Sequence, residues 1–401
     1  MATTKITNPG LFDLGSLDTA LKLPSGTTAE RPTSPSTGEW RYNTDDNKIE
    51  FYDGADWRQL NDEAVFPIPS ENFNTVLYTG TGATQSITGV GFQPDFVWTK
   101  RRDLAADHNL VDSTRGIGPN GTLYAISPNL TGAQTDSANN VKSLDSDGFT
   151  VQGTGTRTNA NGSNYVAWCW KSNGGTTSSN TDGSITSTVQ ANTKAGFSIV
   201  KYTGTGTSGA TVGHGLSAKP ELIITKNLIN SVAWNVKEFS TMTDDKDRLE
   251  LNESFAIFTA SSLTFILSTT NSTTIGLGSS SRTNGSGDEM IAYCFHSVAG
   301  YSKIGSYTGN GSTNGPIVQT GFEPAFIMVK RTSNVSDWSI FDNKRNLTNP
   351  RDLVLAPNIT DAERTYGPVT FLSNGFQQTN TNGGLNSNGD TFIYMAFAAD
   401  L

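Results

Sequence analysis

Charge is the first thing this chain is short of. Lys, Arg, Asp and Glu make up 16% of its 401 residues, against about 25% in soluble globular proteins. Hydrophobic residues, at 35%, do not fill the gap. The surplus is Gly, Ser, Thr and Asn, which suit turns and strand edges and are poor in helix interiors. One weak helix-like stretch stands near residues 243–253, so the composition predicts an all-β protein. Basic runs are short, the densest being "KRRD" at 100–103, and the net charge is −9. Nucleic-acid binders cluster Lys and Arg, so that partner class is excluded. No apolar run approaches the ~20 residues of a membrane span, and membrane insertion is not expected. "MATTKITNPG" at the start lacks an apolar leader core, so no secretory signal is expected.

Two cysteines, Cys169 and Cys294, are too few for a disulfide framework. They stand at matching places in "YVAWCWK" and "MIAYCFH" and read as small buried hydrophobes. The three histidines, His108, His214 and His296, show neither metal-ligand spacing nor a nucleophile-elbow context. No metal, cofactor or catalytic residue is assigned. "GTGTSG" (204–209) matches a dinucleotide fingerprint but precedes a strand-like segment rather than a helix, so it reads as a turn. "TDDKDRLELNE" (243–253) reads as a solvated loop, although two carboxylates about 5 to 9 Å apart could cleave a glycoside. "NTDDNKIEFYD" lacks the glycine and terminal glutamate of a calcium loop and reads as a hairpin turn.

What the chain has is repetition. Pro94, Pro220 and Pro324 each precede a hydrophobic run, and a lysine follows six residues later: Lys100, Lys226 and Lys330. Eight residues beyond each lysine comes a ring, His108, Trp234 or Trp338. Upstream lie "YTGTG", "YTGTG" and "YTGNG", from Tyr78, Tyr202 and Tyr307. Each unit closes on an apolar strand, "YVAWCW", "MIAYCF" or "FIYMAF", three residues after Gly162, Gly287 or Gly389. The prolines are 126 and 104 residues apart, too far for a solenoid and right for a complete β-sandwich.

Proline lacks a ladder N–H and belongs at a strand's first residue or edge. The run after it is apolar on both faces: Phe96–Val97–Trp98, Leu222–Ile223–Ile224 and Phe326–Ile327–Met328. Such a strand is covered on both sides, either within a sandwich or by another subunit. The expected order is an N-terminal module at 1–62, then sandwiches of jelly-roll or lectin-like type at 70–173, 185–298 and 299–401. "SNGGTTSSNTDGS" (172–184) is expected to link the first two, and the last strand to lock the C-terminus into a sheet.

In the N-terminal module, "EWRYN" and "KIEFYD" joined by "TDDN" predict a hairpin. Trp40, Tyr42, Phe51, Tyr52 and Trp57 are many aromatics for a hairpin that is marginal alone. They are taken as assembly and attachment residues. For ligand binding the candidates are His108, Trp234 and Trp338, with the loops at Asn161, Asn284 and Asn388. Rings can stack on sugars and loop amides can bond hydroxyls. The alternative is that these rings fill the core.

Two resemblances follow from these residues. The run "LPSGTTAERP…GEWRYNTDDNKIEFYDGADW" resembles a module near the start of many tailed-bacteriophage fibre and virion-surface proteins. The "GF-x-P" strand with "SDGF" (146–149) and "YVAWCWK" resembles a domain that recurs in phage structural proteins. Together they cover nearly the whole chain. The second repeat lacks "SDGF", which the third keeps as "SNGF", and "FIYMAF" departs from "YVAWCW", so a ligand site in these elements could exist in one copy only. The resemblance implies a virion protein, and an enzymatic role is not expected. The favoured expectation is a homotrimeric tail fibre, attached to other virion proteins by its N-terminus and binding a host surface glycan or protein. The alternatives are a capsid decoration, head fibre or tail adaptor without receptor contact, and a glycan-degrading spike.

Overall fold

The computed structural model describes residues 23–59 and 67–399. The leader reading of residues 1–22 and the last two residues of the chain lie outside them. The chain divides into two units, Met1–Val65 and Phe66–Leu401. Among the described residues the only α-helices are the single turns Ser281–Asn284 and Gly383–Asn386, and no helix is long and apolar enough to cross a membrane. The rest is strand and turn, an all-β protein of several sheets. The helix-like stretch near 243–253 forms turns and the short strand Asp247–Arg248 instead, because its charged residues hydrogen-bond their own loop backbone.

In the first unit the expected hairpin pairs Trp40–Asn43 with Lys48–Tyr52, and Asn47 closes its turn at φ +52°. Asn tolerates that left-handed conformation better than most residues. The sheet is larger than a hairpin. Ser25–Gly26 adds in parallel to one edge and Trp57–Gln59 antiparallel to the other.

In the second unit each repeat builds two main sheets, and the second repeat adds the two-stranded pair of Asp247–Arg248 with Phe258–Thr259. An opening strand (Phe73–Thr79, Phe197–Thr203, Ser302–Thr308) pairs with the closing strand (Asn164–Trp170, Glu289–Phe295, Thr391–Ala398). The closing strand also pairs with the proline strand (Phe96–Arg101, Leu222–Asn227, Pro324–Arg331). A fourth strand follows at Asn109–Asp112, Asn235–Glu238 and Ser339–Asp342. A smaller antiparallel sheet covers one face, for example Val141–Asp145, Gly148–Val151 and Gln85–Ile87 in the first repeat. The "SDGF" element is the turn of that sheet. A Cβ at Gly148 (φ +145°) or Gly375 (φ +152°) would come within 2.0 Å of the carbonyl oxygen of Ile87 or Val318, so only glycine fits.

The doubly apolar strands have both faces covered. On the closing strands Ala167 and Cys169, Ala292 and Cys294, and Tyr394 and Ala396 point into their own sandwich. The alternate residues Trp168 and Trp170, Tyr293 and Phe295, and Met395 and Phe397 point the other way, into one core shared by all three repeats. Aromatic contacts cross that core: Phe96 to Tyr293 at 4.6 Å, Trp168 to Phe326 at 5.9 Å and Phe73 to Phe397 at 5.0 Å. The sandwiches therefore do not follow one another as separate bodies in a row. Their outer faces meet the other repeats of the same chain. Residues 172–184 are not a free linker either. The amides of Ser172, Gly174 and Gly175 donate to the Asp95 carboxylate, and Ser178–Asn180 adds a strand to the second repeat's main sheet.

Candidate functional site

The lysine of each repeat lies at the seam with its neighbour. Lys226 Nζ donates to the carbonyl of Thr131 in the first repeat at 2.9 Å, and Lys330 Nζ to Ser254 in the second at 3.1 Å. Lys100 Nζ, in the first repeat, donates to Thr360 in the third at 3.1 Å. A carbonyl two residues past each lysine accepts from the same neighbour: Arg102 from the Glu363 amide, Leu228 from Gln134 and Thr332 from Ile257. Each repeat grips the one before it and the first grips the third, so the contacts close into a pseudo-threefold ring. Arg102 and Glu363 add a two-pronged ion pair, at 2.9 and 3.0 Å, to the seam that closes it. All three ammonium groups are buried. Burial pulls Lys100 and Lys226 down to about 8 and Lys330 to about 7. Against that, Lys226 and Lys330 each meet three carbonyls, one acceptor for every N–H of the charged form.

The rings proposed for sugar stacking are part of these seams. Trp234 Nε1 donates to the carbonyls of Ser127 and Leu130 at 3.0 and 3.1 Å, and Trp338 Nε1 to Glu250 at 3.1 Å. His108 Nδ1 accepts from Trp98 Nε1 at 2.9 Å, so its proton lies on Nε2 and is donated to Ala356 of the third repeat at 3.0 Å. Burial, then the nearby Lys100 charge, holds this imidazole well below its usual pKa, and it is neutral. His108 and Trp234 are 0% exposed and Trp338 2%. None has a free face for a sugar, and the core-filling alternative describes them. The backbone N–H of each ring residue is held by Asn129, Asn252 or Asn358, which follow at 21, 18 and 20 residues. That uneven spacing hid these asparagines from a search by register.

The Asn-Gly loops divide. Asn161 and Asn388 are exposed, whereas Asn284 is buried and corresponds to Asn159 and Asn386 instead. The side-chain oxygens of Asn159, Asn284 and Asn386 accept from the amides of Thr81, Thr205 and Asn310, at 2.9, 2.7 and 2.9 Å. Their amides donate to backbone carbonyls on both sides, such as Ala83 and Gly153. Each thus clamps the glycine-rich turn after the opening strand onto the loop before the closing strand. The signal was present as Asn-x-x-Gly: "NANG", "NGSG" and "NSNG". "GTGTSG" is one of these clamped turns and runs into the strand Ala210–Gly213.

Two of the three seams also bury a charge. Asp112 pairs with Arg115 at 2.5 Å and accepts from Tyr293 of the second repeat at 2.7 Å. Asp342 pairs with Arg345 at 2.6 Å and accepts from Trp168 of the first at 3.0 Å. The third repeat carries Met395 at the place of Trp168 and Tyr293 and has no such donor. Both cysteines are free and buried, and burial pushes Cys294 up to about 12 and Cys169 higher still. Among the described residues no three His, Cys, Asp or Glu side chains gather as a metal site.

In the N-terminal sheet the five aromatics fall on two faces. Trp40 stacks on Phe51 at 5.4 Å with Tyr42 beside them, and Trp40 is 46% exposed. Tyr52 and Trp57 meet at 5.7 Å on the other face, where Arg41 lies over Trp57. That second face centres on Glu50, a residue the sequence reading passed over. Its carboxylate is fully buried and takes Arg31 at 2.5 Å, Asn43 at 3.2 Å and Arg41 at 3.5 Å. The "GTTAERP" run serves the same network, since Thr27 and Glu30 form a capping box just before Arg31.

Fold and seams together define an all-β protein in which one chain supplies three sandwich repeats around a common core and, as a separate unit, a small polar-centred sheet. Residues 68–400 match the family described as Domain of unknown function (DUF7483), and the chain belongs to that family. No curated protein and no solved structure matches it.

Proposed function

We propose that this is a structural protein of a bacteriophage virion, a tail fibre that attaches by its N-terminal sheet and binds a host surface glycan with its repeats. The observation that carries this reading is the two-part construction. One unit is a small sheet with a half-exposed aromatic pair, Trp40 and Phe51; the other is a body whose seams are all closed within one chain. The role proposed is binding and not catalysis. The three rings first considered for receptor contact are used as mortar between repeats, so binding falls to exposed loops such as those of Asn161 and Asn388.

One observation favours the second reading, a capsid decoration or tail adaptor. The apolar strand faces for which another subunit was one expected cover are already filled by the chain's own repeats. Self-association is therefore proposed through the N-terminal aromatics alone. Light scattering on the full chain tests it: a mass near three times 42.8 kDa supports the trimeric fibre, and a monomer favours decoration or adaptor. Immunogold labelling of intact particles tests the location. Label on tails supports the fibre, label on heads supports decoration, and unlabelled particles overturn both.

A further inference from the structure

The three repeats also differ beside their seam rings. In the first and third, the residue before the seam ring is an aspartate tied on both sides. Asp107 accepts from Asn129 at 2.7 Å and from Arg157 at 2.7 Å, and Asp337 accepts from Asn358 at 2.8 Å and from Arg364 at 3.2 Å. The second repeat has Ala233 there. Its asparagine, Asn252, turns to Glu253 at 3.2 Å, and its arginine, Arg282, turns to Glu250. Where the other repeats hold an ion pair, the second has a cleft of about 510 Å³, walled by Ala233 and Arg282 and closed at the seam by Thr131 of the first repeat.

The chemistry of the cleft is specific. Arg248 and Arg282 share one oxygen of Glu250, and neither guanidinium has another hydrogen-bond partner among the described residues. Two forked donors therefore border the cleft with N–H groups to spare. Glu253 and the hydroxyls of Ser231 and Ser281 supply acceptors. Leu263, 47% exposed, gives the same cleft an apolar wall. Forked donors and carboxylate and hydroxyl acceptors around one cleft with an apolar wall suit a ligand dense in hydroxyl groups with an apolar ring face. The volume falls within the ~300–1,000 Å³ of small-ligand sites.

We infer that this cleft is a saccharide site, present in the second repeat alone. Arg248 and Arg282 donate to ligand oxygens, Glu253 accepts from its hydroxyls, and Leu263 packs against the apolar face of a sugar ring. The inference rests on the glycan-binding reading above and assigns it a place.

The test uses the full chain on an array of neutral and uronate-containing bacterial oligosaccharides, followed by calorimetry with the best binder. Ala233→Asp rebuilds the ion pair of the other repeats and should weaken binding at least tenfold with an unchanged melting temperature. Leu263→Ala removes the apolar wall and should weaken it about threefold. Undiminished binding by both variants overturns the cleft and leaves glycan binding standing elsewhere on the chain. A wild-type protein that binds no oligosaccharide overturns the site outright, while particle labelling still decides the virion reading.

Discussion

At the centre of the N-terminal sheet is a carboxylate; at the centre of the repeats are aromatic rings. Residues 23–59 are too few to enclose an apolar interior, since small folds bury a small share of their surface. The sheet instead gathers Arg31, Arg41 and Asn43 around Glu50. The repeats have three sandwich interiors and can spend a second apolar face on one another. Some of the polar groups buried there find a partner across a seam, as Lys226 finds Thr131. The polar centre is specific but fragile, because removing one member leaves the others buried and unpaired. The apolar core tolerates a lost hydrogen bond better than an inserted charge.

The largest expected effect breaks the apolar side. Ile223→Asp places an unpaired carboxylate at a position 0% exposed inside the second sandwich and should abolish cooperative melting of residues 67–399. A soluble variant melting normally would mean that strand is not covered on both faces. Next comes the polar side. Glu50→Ala strands two guanidinium groups and should cost the first unit about 3–5 kcal/mol. Limited proteolysis should then cut within residues 23–59 while the melting of the repeats stays put; parallel loss of both would merge the two units the comparison separates. Trp234→Phe keeps the ring's bulk but leaves two seam carbonyls without their donor, for about 1–3 kcal/mol in the melting of the repeats.

The two regions should also part company with pH. The Arg31 hydrogen bond holds the Glu50 carboxyl below its usual range, so its contribution is complete above the unfolded pKa of about 4.3 and is lost as pH falls through the folded value. In the repeats, burial lowers Lys330 to about 7 from 10.5. The unfolded chain then binds more protons between those values, and stability rises as pH climbs from about 7 to 10.5. Melting curves should show the rise, and Lys330→Met should make it shallower, with Lys100 and Lys226, lowered to about 8, carrying the rest; an unchanged slope in that variant would assign the rise to other groups. The smallest effect is Pro220→Ala, at most about 1 kcal/mol in denaturant unfolding, because it acts mainly by freeing the unfolded chain.

Much of the fold was legible because it is local and repeated. The proline, the lysine six residues on and the closing strand mark the same strands in all three copies. The site was less legible, for reasons particular residues show. Trp234 and Trp338 have the composition of sugar-stacking rings, but their partners lie 107 and 88 residues away, across seams that no window reveals. Asn284 was matched by its Asn-Gly dipeptide, although its role depends on its distance from Gly287. Glu50 sits in an alternating strand, Lys-Ile-Glu-Phe-Tyr, where a charged residue reads as solvent-facing. Only the arrival of Arg31, 19 residues upstream, buries it.

By itself the sequence determined that three like units exist, that each is built of strands and turns, and that their central strands are apolar on both faces. Period-two alternation, glycine's left-handed turns and proline's missing N–H are written residue by residue. Which surface covers the second apolar face was left to the tertiary structure, because burial there is satisfied equally by a sister repeat or a sister subunit. The tie is broken by the seams: three buried ammonium groups, each needing carbonyls that only the neighbouring repeat completes, close the chain upon itself.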